Sequence, residues 1–146
     1  MSFTHLDAPR WTLSPAVRWI ALLCLCAAYI QGGLFKLMDF SGAVGEMQHF
    51  GVVPAGLFAA LTIAVEIGAP ILILAGIWRW AGALLLAGFT VFATLVANRF
   101  WEMSGQERFM TTNAFFEHIG LIGAFVLVAW MDLRERRAAA FMRDAA

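Results

Sequence analysis

The chain has 146 residues, of which 62% are hydrophobic and 14% are charged, and its mean hydropathy is +0.78. Soluble domains carry about 25% charged residues, so this composition excludes an ordinary soluble protein and predicts an integral membrane protein. Ten cations balance ten anions without forming a basic block, which argues against binding to nucleic acid. The length suits one transmembrane domain over residues 1–146, an all-α bundle of four spanning helices with short loops.

The first apolar segment predicts a transmembrane helix over about residues 16–37. At 100° per residue, Arg18, Tyr29 and Lys36 fall on one face of this helix, with a cation near each end and a phenol between them. The two cations could equally be membrane anchors flanking a core tyrosine. Residues 40–50 then repeat apolar side chains at helical spacing, which predicts a short amphipathic helix lying in the membrane interface.

The second apolar segment, residues 55–78, contains Glu66 as its only ionisable residue. The segment exceeds the roughly 20 residues needed to cross the hydrocarbon core, which places Glu66 near the middle of the membrane. An ionised side chain there costs on the order of 3 kcal/mol. Pro70 cannot donate a backbone hydrogen bond to the carbonyl of Glu66, four residues earlier. Neighbouring helices are therefore expected to supply polar partners at this point.

Two further helices are predicted, over about residues 80–98 and 113–131. The turn between the second and third helices is so short that these two must be antiparallel neighbours. Thr90, Thr94 and Asn98 share a small and polar stripe, which is typical of close helix packing and less often of a pathway lining. Residues 99–112 are expected to form a loop on the membrane surface, and residues 132–146 a soluble tail of helical character.

The distribution of cations predicts the orientation. With four spans, one side of the membrane holds seven cations: Arg10, Arg18, Arg79, Arg134, Arg136, Arg137 and Arg143. The other side holds Lys36, Arg99 and Arg108. The positive-inside rule then places both termini in the cytoplasm.

Polar residues from all four helices converge in the outer half of this arrangement. They predict an outward-facing cavity with Glu66, the candidate catalytic residue, at its floor. The candidate ligand-binding residues are Tyr29, Lys36, Glu66, Asn98, Arg99, Glu117 and His118. The inner half is expected to offer only Arg18 and Arg79. A purely structural network of ion pairs is the alternative. No metal site is predicted, because Glu117 and His118 are adjacent and so point to different faces of their helix.

The sequence resembles the DoxX family of small four-helix membrane proteins over roughly residues 18–131. The matching elements, in order, are Arg18, Gly33–Leu37, Phe50–Pro54, Glu66 with Gly68, Leu74–Arg79, and Glu117. The resemblance implies a multi-pass protein of the bacterial inner membrane. It also implies association with a membrane oxidoreductase complex, because some members are associated with thiosulfate:quinone oxidoreductase or with thiol-redox complexes.

Three functions follow as hypotheses. The first is a subunit of a membrane oxidoreductase complex, without its own redox centre, whose cavity binds a quinone or similar small molecule. The second is a non-catalytic assembly or scaffold protein, and the third is a small transporter. Besides the lipid bilayer, the expected partner is another membrane protein or a second copy of the chain.

Overall fold

The computed structural model describes residues 14–145, and this part of the chain is helical apart from short connections, with no strand. The α-helices in this part are α1 (Pro15–Met38), α2 (Phe40–His49), α3 (Ala55–Ala75), α4 (Arg79–Ala97) and α5 (Gly105–Asp144), and a 3₁₀ turn covers Phe100–Glu102. Four of them, α1, α3, α4 and α5, are long and apolar enough to cross a membrane. The prediction of an all-α membrane protein with four spanning helices is therefore confirmed.

Asp39 joins the first two helices. Its backbone N–H donates to the carbonyl of Phe35 and so closes α1, while its carboxylate accepts from the Gly42 amide at 2.9 Å and opens α2. These contacts, first the Gly42 amide and then the Ser41 hydroxyl, hold the pKa of the Asp39 carboxyl below its usual value. Asp39 therefore ends α1 and caps the start of α2.

The turn between α3 and α4 is tight. Gly76 and Trp78 both adopt positive φ, 75° and 49°, which ends α3 three residues before the predicted boundary at Trp78. A side chain at Gly82 would come within 2.8 Å of the Ala69 carbonyl oxygen, so this glycine lets α4 lie directly on α3. The short connection thus makes the two helices packed neighbours, as the sequence indicates.

The structure differs from the sequence prediction at α5. The expected surface loop over residues 99–112 contains the 3₁₀ turn, and the helix predicted for residues 113–131 extends from Gly105 to Asp144. Its 40 residues correspond to about 60 Å, twice the thickness of the hydrocarbon core. Hydropathy locates only the apolar stretch, whereas the flanking residues lack proline and favour helix, so the helix continues beyond the membrane at both ends.

The bundle packs in sequence order, α1 against α3, α3 against α4, and α4 against α5, with α2 lying on α3. Ala43 and Met47 of α2 are buried against Ala59 of α3, whereas Phe40 remains exposed.

The main core joins Cys26, Ile73, Leu86 and Phe125 with other buried side chains of the four long helices. Tyr29 belongs to this core, where its ring is nearly perpendicular to that of Phe125, and it also lines the cavity described next.

Candidate ligand cavity

A cavity of about 220 Å³ lies in the half of the bundle that contains the α1–α2 junction. Every helix contributes to it, and most of its wall is apolar, including Phe50, Phe89 and Phe92. The polar side chains that line it are Tyr29, Lys36, Glu46, Thr62, Glu66, Thr90 and His118. Of the seven residues predicted for the site, Tyr29, Lys36, Glu66 and His118 meet at this cavity.

Lys36 and Glu66 form an ion pair at the cavity wall. The Lys36 ammonium donates to both carboxylate oxygens of Glu66, at 3.3 and 3.2 Å, and the two side chains are only 17% and 10% exposed. Gly33 makes the approach possible, since a Cβ there would lie 2.8 Å from Ile67 and 3.0 Å from the Glu66 Cβ. Glu66, near the middle of α3, thus has its partner on α1, one helical turn beyond the glycine that lets α1 and α3 meet.

Lys36 also faces a second carboxylate. Glu46 of α2 lies 3.8 Å from the Lys36 ammonium, and its side chain is 45% exposed. One cation is therefore shared by two carboxylates, one buried and one open to the surface. Sequence analysis assigned no role to Glu46, because it lies off the apolar face of α2 and resembles an ordinary solvated residue.

Tyr29 and Thr90 form a hydrogen bond of 2.6 Å inside the bundle. The Thr90 hydroxyl donates to the Leu86 carbonyl, also at 2.6 Å, so its oxygen is left to accept the proton of Tyr29. The phenol oxygen of Tyr29 keeps its lone pairs for a group in the cavity. The polar stripe of α4, expected mainly to serve packing, therefore contributes Thr90 to the cavity lining as well.

His118 is held through one ring nitrogen. Its Nδ1 lies 2.8 Å from the Thr94 hydroxyl and 3.0 Å from the Asn98 amide nitrogen. Thr94 lies in the last turn of α4 and Asn98 directly follows that helix, and together they fix the orientation of the imidazole ring. Because these contacts use Nδ1, Nε2 is the nitrogen available to a ligand. Asn98 thus supports the site through His118 and does not itself line the cavity.

Arg99 and Glu117 lie outside the cavity, unlike the sequence prediction. Arg99 follows the end of α4 and pairs with Glu102 at 3.2 Å, with 45% of its side chain exposed. Glu117 is exposed as well, since it precedes His118 by one residue and so points about 100° away around α5. Within residues 14–145, no group of three or more His, Cys, Asp or Glu side chains could hold a metal ion.

A second polar cluster closes the opposite end of the bundle, where only Arg18 and Arg79 were expected. Asp132 is 4% exposed, accepts from Arg136 at 2.7 Å and from the Trp80 amide at 3.3 Å, and lies 3.5 Å from Arg79. Arg18 donates to both oxygens of Glu135 at 3.0 Å. These partners were missed because residues 132–146 were expected to form a soluble tail beyond the spanning helix and not to pack on the bundle.

The DoxX family model matches residues 19–99, more than half of the chain. The chain belongs to the DoxX family. The inner membrane protein YphA of Escherichia coli strain K12 is 28% identical to this DoxX protein over 115 residues, which cover 79% of this chain and 82% of YphA. No solved structure matches the chain. With its four candidate spans, this DoxX member is a multi-pass protein of the bacterial inner membrane.

Proposed function

We propose that this DoxX protein is a membrane subunit of an oxidoreductase complex and that its cavity binds a quinone headgroup or a similar small carbonyl compound. The observation that carries the proposal is the composition of the cavity wall. Aromatic and aliphatic side chains form most of it, and the polar groups include the Lys36–Glu66 pair, Tyr29 and His118. Small-molecule sites characteristically combine an apolar enclosure with a few placed polar groups.

The residues present fit such a ligand chemically. Lys36 can donate to a carbonyl oxygen, and the Glu66 carboxylate can accept from a hydroxyl or take up a proton. Nε2 of His118 and the hydroxyl of Tyr29 offer further hydrogen-bonding positions on the same cavity. A bound quinone would supply a two-electron couple. The chain's own residues would bind and orient the quinone and exchange protons with it.

The proposal includes an orientation and a partner. With both termini in the cytoplasm, the Asp132 cluster lies at the cytoplasmic side and the cavity faces the outer side of the inner membrane. In this proposal the electrons come from a partner protein. The chain would then supply the ligand site and the partner the redox centre.

Mass spectrometry of the small molecules retained in native-lipid nanodiscs tests the ligand. We expect a near-stoichiometric quinone in the wild type, its loss in Glu66→Gln, and its retention in Glu102→Gln, which removes an exposed carboxylate away from the cavity. Thermal unfolding of the three proteins establishes that they are folded. Bulk lipid alone in all three samples would overturn the proposal and favour a structural role for the ion pair.

A further inference from the structure

A groove on the outer surface shares a wall with the cavity. This outer groove lies between the end of α1 and α2 and is lined by Gly32, Phe35, Lys36, Asp39, Gly42 and Glu46, among others. Lys36 and Glu46 line both the outer groove and the cavity. The two side chains therefore form the boundary between the buried ligand site and the surface.

Three ionisable side chains lie in a row across this boundary, and their exposure increases from the cavity towards the surface. The side chain of Glu66 is 10% exposed, that of Lys36 is 17%, and that of Glu46 is 45%. The Lys36 ammonium is 3.2 Å from Glu66 and 3.8 Å from Glu46. Each neighbouring pair is thus within the range of an ion pair, and the series ends at a carboxylate that meets water.

Gly32 keeps the boundary thin. It lines the outer groove, and a Cβ at this position would lie 3.4 Å from Glu66 Oε2 and 3.6 Å from the Lys36 ammonium. A large side chain here would cover both charged groups from the groove. Because Gly32 has no side chain, only backbone atoms separate the ion pair from the groove at this position.

We propose that Lys36 and Glu46 form the proton path between Glu66 and the outer groove, with Glu46 as its surface end. Lys36 gives a proton to Glu66, which becomes neutral. The Glu46 carboxylate then takes a proton from a hydronium ion in the groove and passes it to the Lys36 amine, which restores the Lys36 ammonium and the Glu46 carboxylate. The net change is the transfer of one proton from hydronium to Glu66, and release follows the reverse order. Glu46 acts through Lys36 and is a proton-transfer residue without a direct role at the ligand.

The other titratable groups near the cavity make their hydrogen bonds to residues other than Glu66. Tyr29 of α1 bonds to Thr90, and His118 of α5 is held by Thr94 and Asn98. Asp39 faces the outer groove and caps α2, and α4 contributes no charged residue to the cavity lining. Among the described residues, Lys36 is the only one that bonds to the Glu66 carboxylate, so it is the natural route for its proton.

The inference deepens the proposed function, on which it rests for its purpose, since a quinone must exchange protons when its oxidation state changes. Its test needs no ligand. Time-resolved infrared spectroscopy after a pH jump, on protein in nanodiscs, follows protonation of Glu66 through the carboxylic C=O band that Glu66→Gln removes. We expect Glu46→Gln to slow this protonation by at least about tenfold and Glu102→Gln to leave the wild-type rate.

Glu46→Ala serves as a second variant and should slow the reaction equally, because the carboxylate is the functional group. A wild-type rate in both Glu46 variants would overturn the path, and so would the absence of any band that depends on Glu66. The two proposals can fail separately. A rate that depends on Glu46 in a protein that retains no quinone would support the path and contradict the ligand.

Discussion

Lys36 is the residue on which the charge balance of the cavity depends, because it is shared by Glu66 at 3.2 Å and Glu46 at 3.8 Å. Lys36→Met would leave a buried carboxylate without a cation and facing a second one. We expect this substitution to lower the free energy of unfolding by about 3 kcal/mol, since removing one partner of a buried pair is the costly case. Thermal and denaturant unfolding in detergent measures the change.

Glu66→Leu should be milder than Lys36→Met, because Lys36 keeps Glu46 as a partner and its long side chain can extend towards the surface. The double variant Lys36→Met/Glu66→Leu serves as the matched control and should regain most of the lost stability. If Glu66→Leu unfolded before Lys36→Met, the assignment of Lys36 as the shared cation would be wrong.

At the scale of the helices, glycines decide how closely neighbours pack. Gly33 and Gly88 both lie inside spanning helices, but a Cβ at Gly33 meets Ile67 at 2.8 Å whereas one at Gly88 meets nothing within 4 Å. Alanine favours helix over glycine by about 1 kcal/mol. We therefore expect Gly88→Ala to keep or raise the melting temperature and Gly33→Ala to lower it by separating α1 from α3.

The same pair of variants also bears on the site. Gly33→Ala should weaken ligand retention in nanodiscs, because it displaces α1 and with it Lys36 from Glu66, and Gly88→Ala should not. Equal melting temperatures and equal ligand retention in the two variants would show that the close approach at Gly33 contributes nothing.

The contribution of Asp39 to the stability of the α1–α2 junction depends on pH. Its pKa is lowered in the folded protein, so its contribution to stability is fully present above the unfolded value of about 3.9 and is lost as pH falls through the lower folded value. Asp39→Asn keeps a capping side chain without the charge. The difference in melting temperature between wild type and Asp39→Asn should be constant from pH 7 to about pH 4 and shrink below it.

Asp39→Ala should be less stable than Asp39→Asn throughout this range, because it removes the acceptor for the Gly42 amide. The ranking is measured in the same pH series. A gap between wild type and Asp39→Asn that widened in acid would contradict the favourable interaction of the ionised carboxylate.

For the whole molecule, hydropathy and residue spacing predict the features that depend on long apolar segments. They predict few of the contacts between one segment and another. The four spans, and Glu66 as a buried group in need of a partner, follow from solvation in lipid. The choice of Lys36 as that partner follows from helix rotation and from Gly33, which the sequence pattern does not specify. Glu117 was misplaced for a similar reason, since one residue of rotation moves a side chain out of the cavity. Arg99 was misplaced because α4 ends at Ala97, which leaves Arg99 in the connection beside Glu102.

The length of α5 has a consequence for the whole bundle, because it brings Asp132 and Glu135 to the ends of α1 and α4. Asp132 is buried between Arg79 and Arg136, while Glu102 pairs with Arg99 at an exposed site. Asp132→Ala leaves two cations without their shared partner and should cost about 3 kcal/mol of stability. Glu102→Ala, the matched control, should cost about 0.5 kcal/mol or less.

The salt dependence of the two variants separates an ion-pair effect from a general loss of packing. High salt should weaken the exposed Arg99–Glu102 pair and leave the buried Asp132 cluster nearly unchanged, because buried charges are screened much less. The large difference in unfolding free energy between Asp132→Ala and wild type should therefore persist in 1 M salt. If instead Asp132→Ala unfolded like Glu102→Ala at every salt concentration, the extension of α5 would not be holding this end of the bundle together.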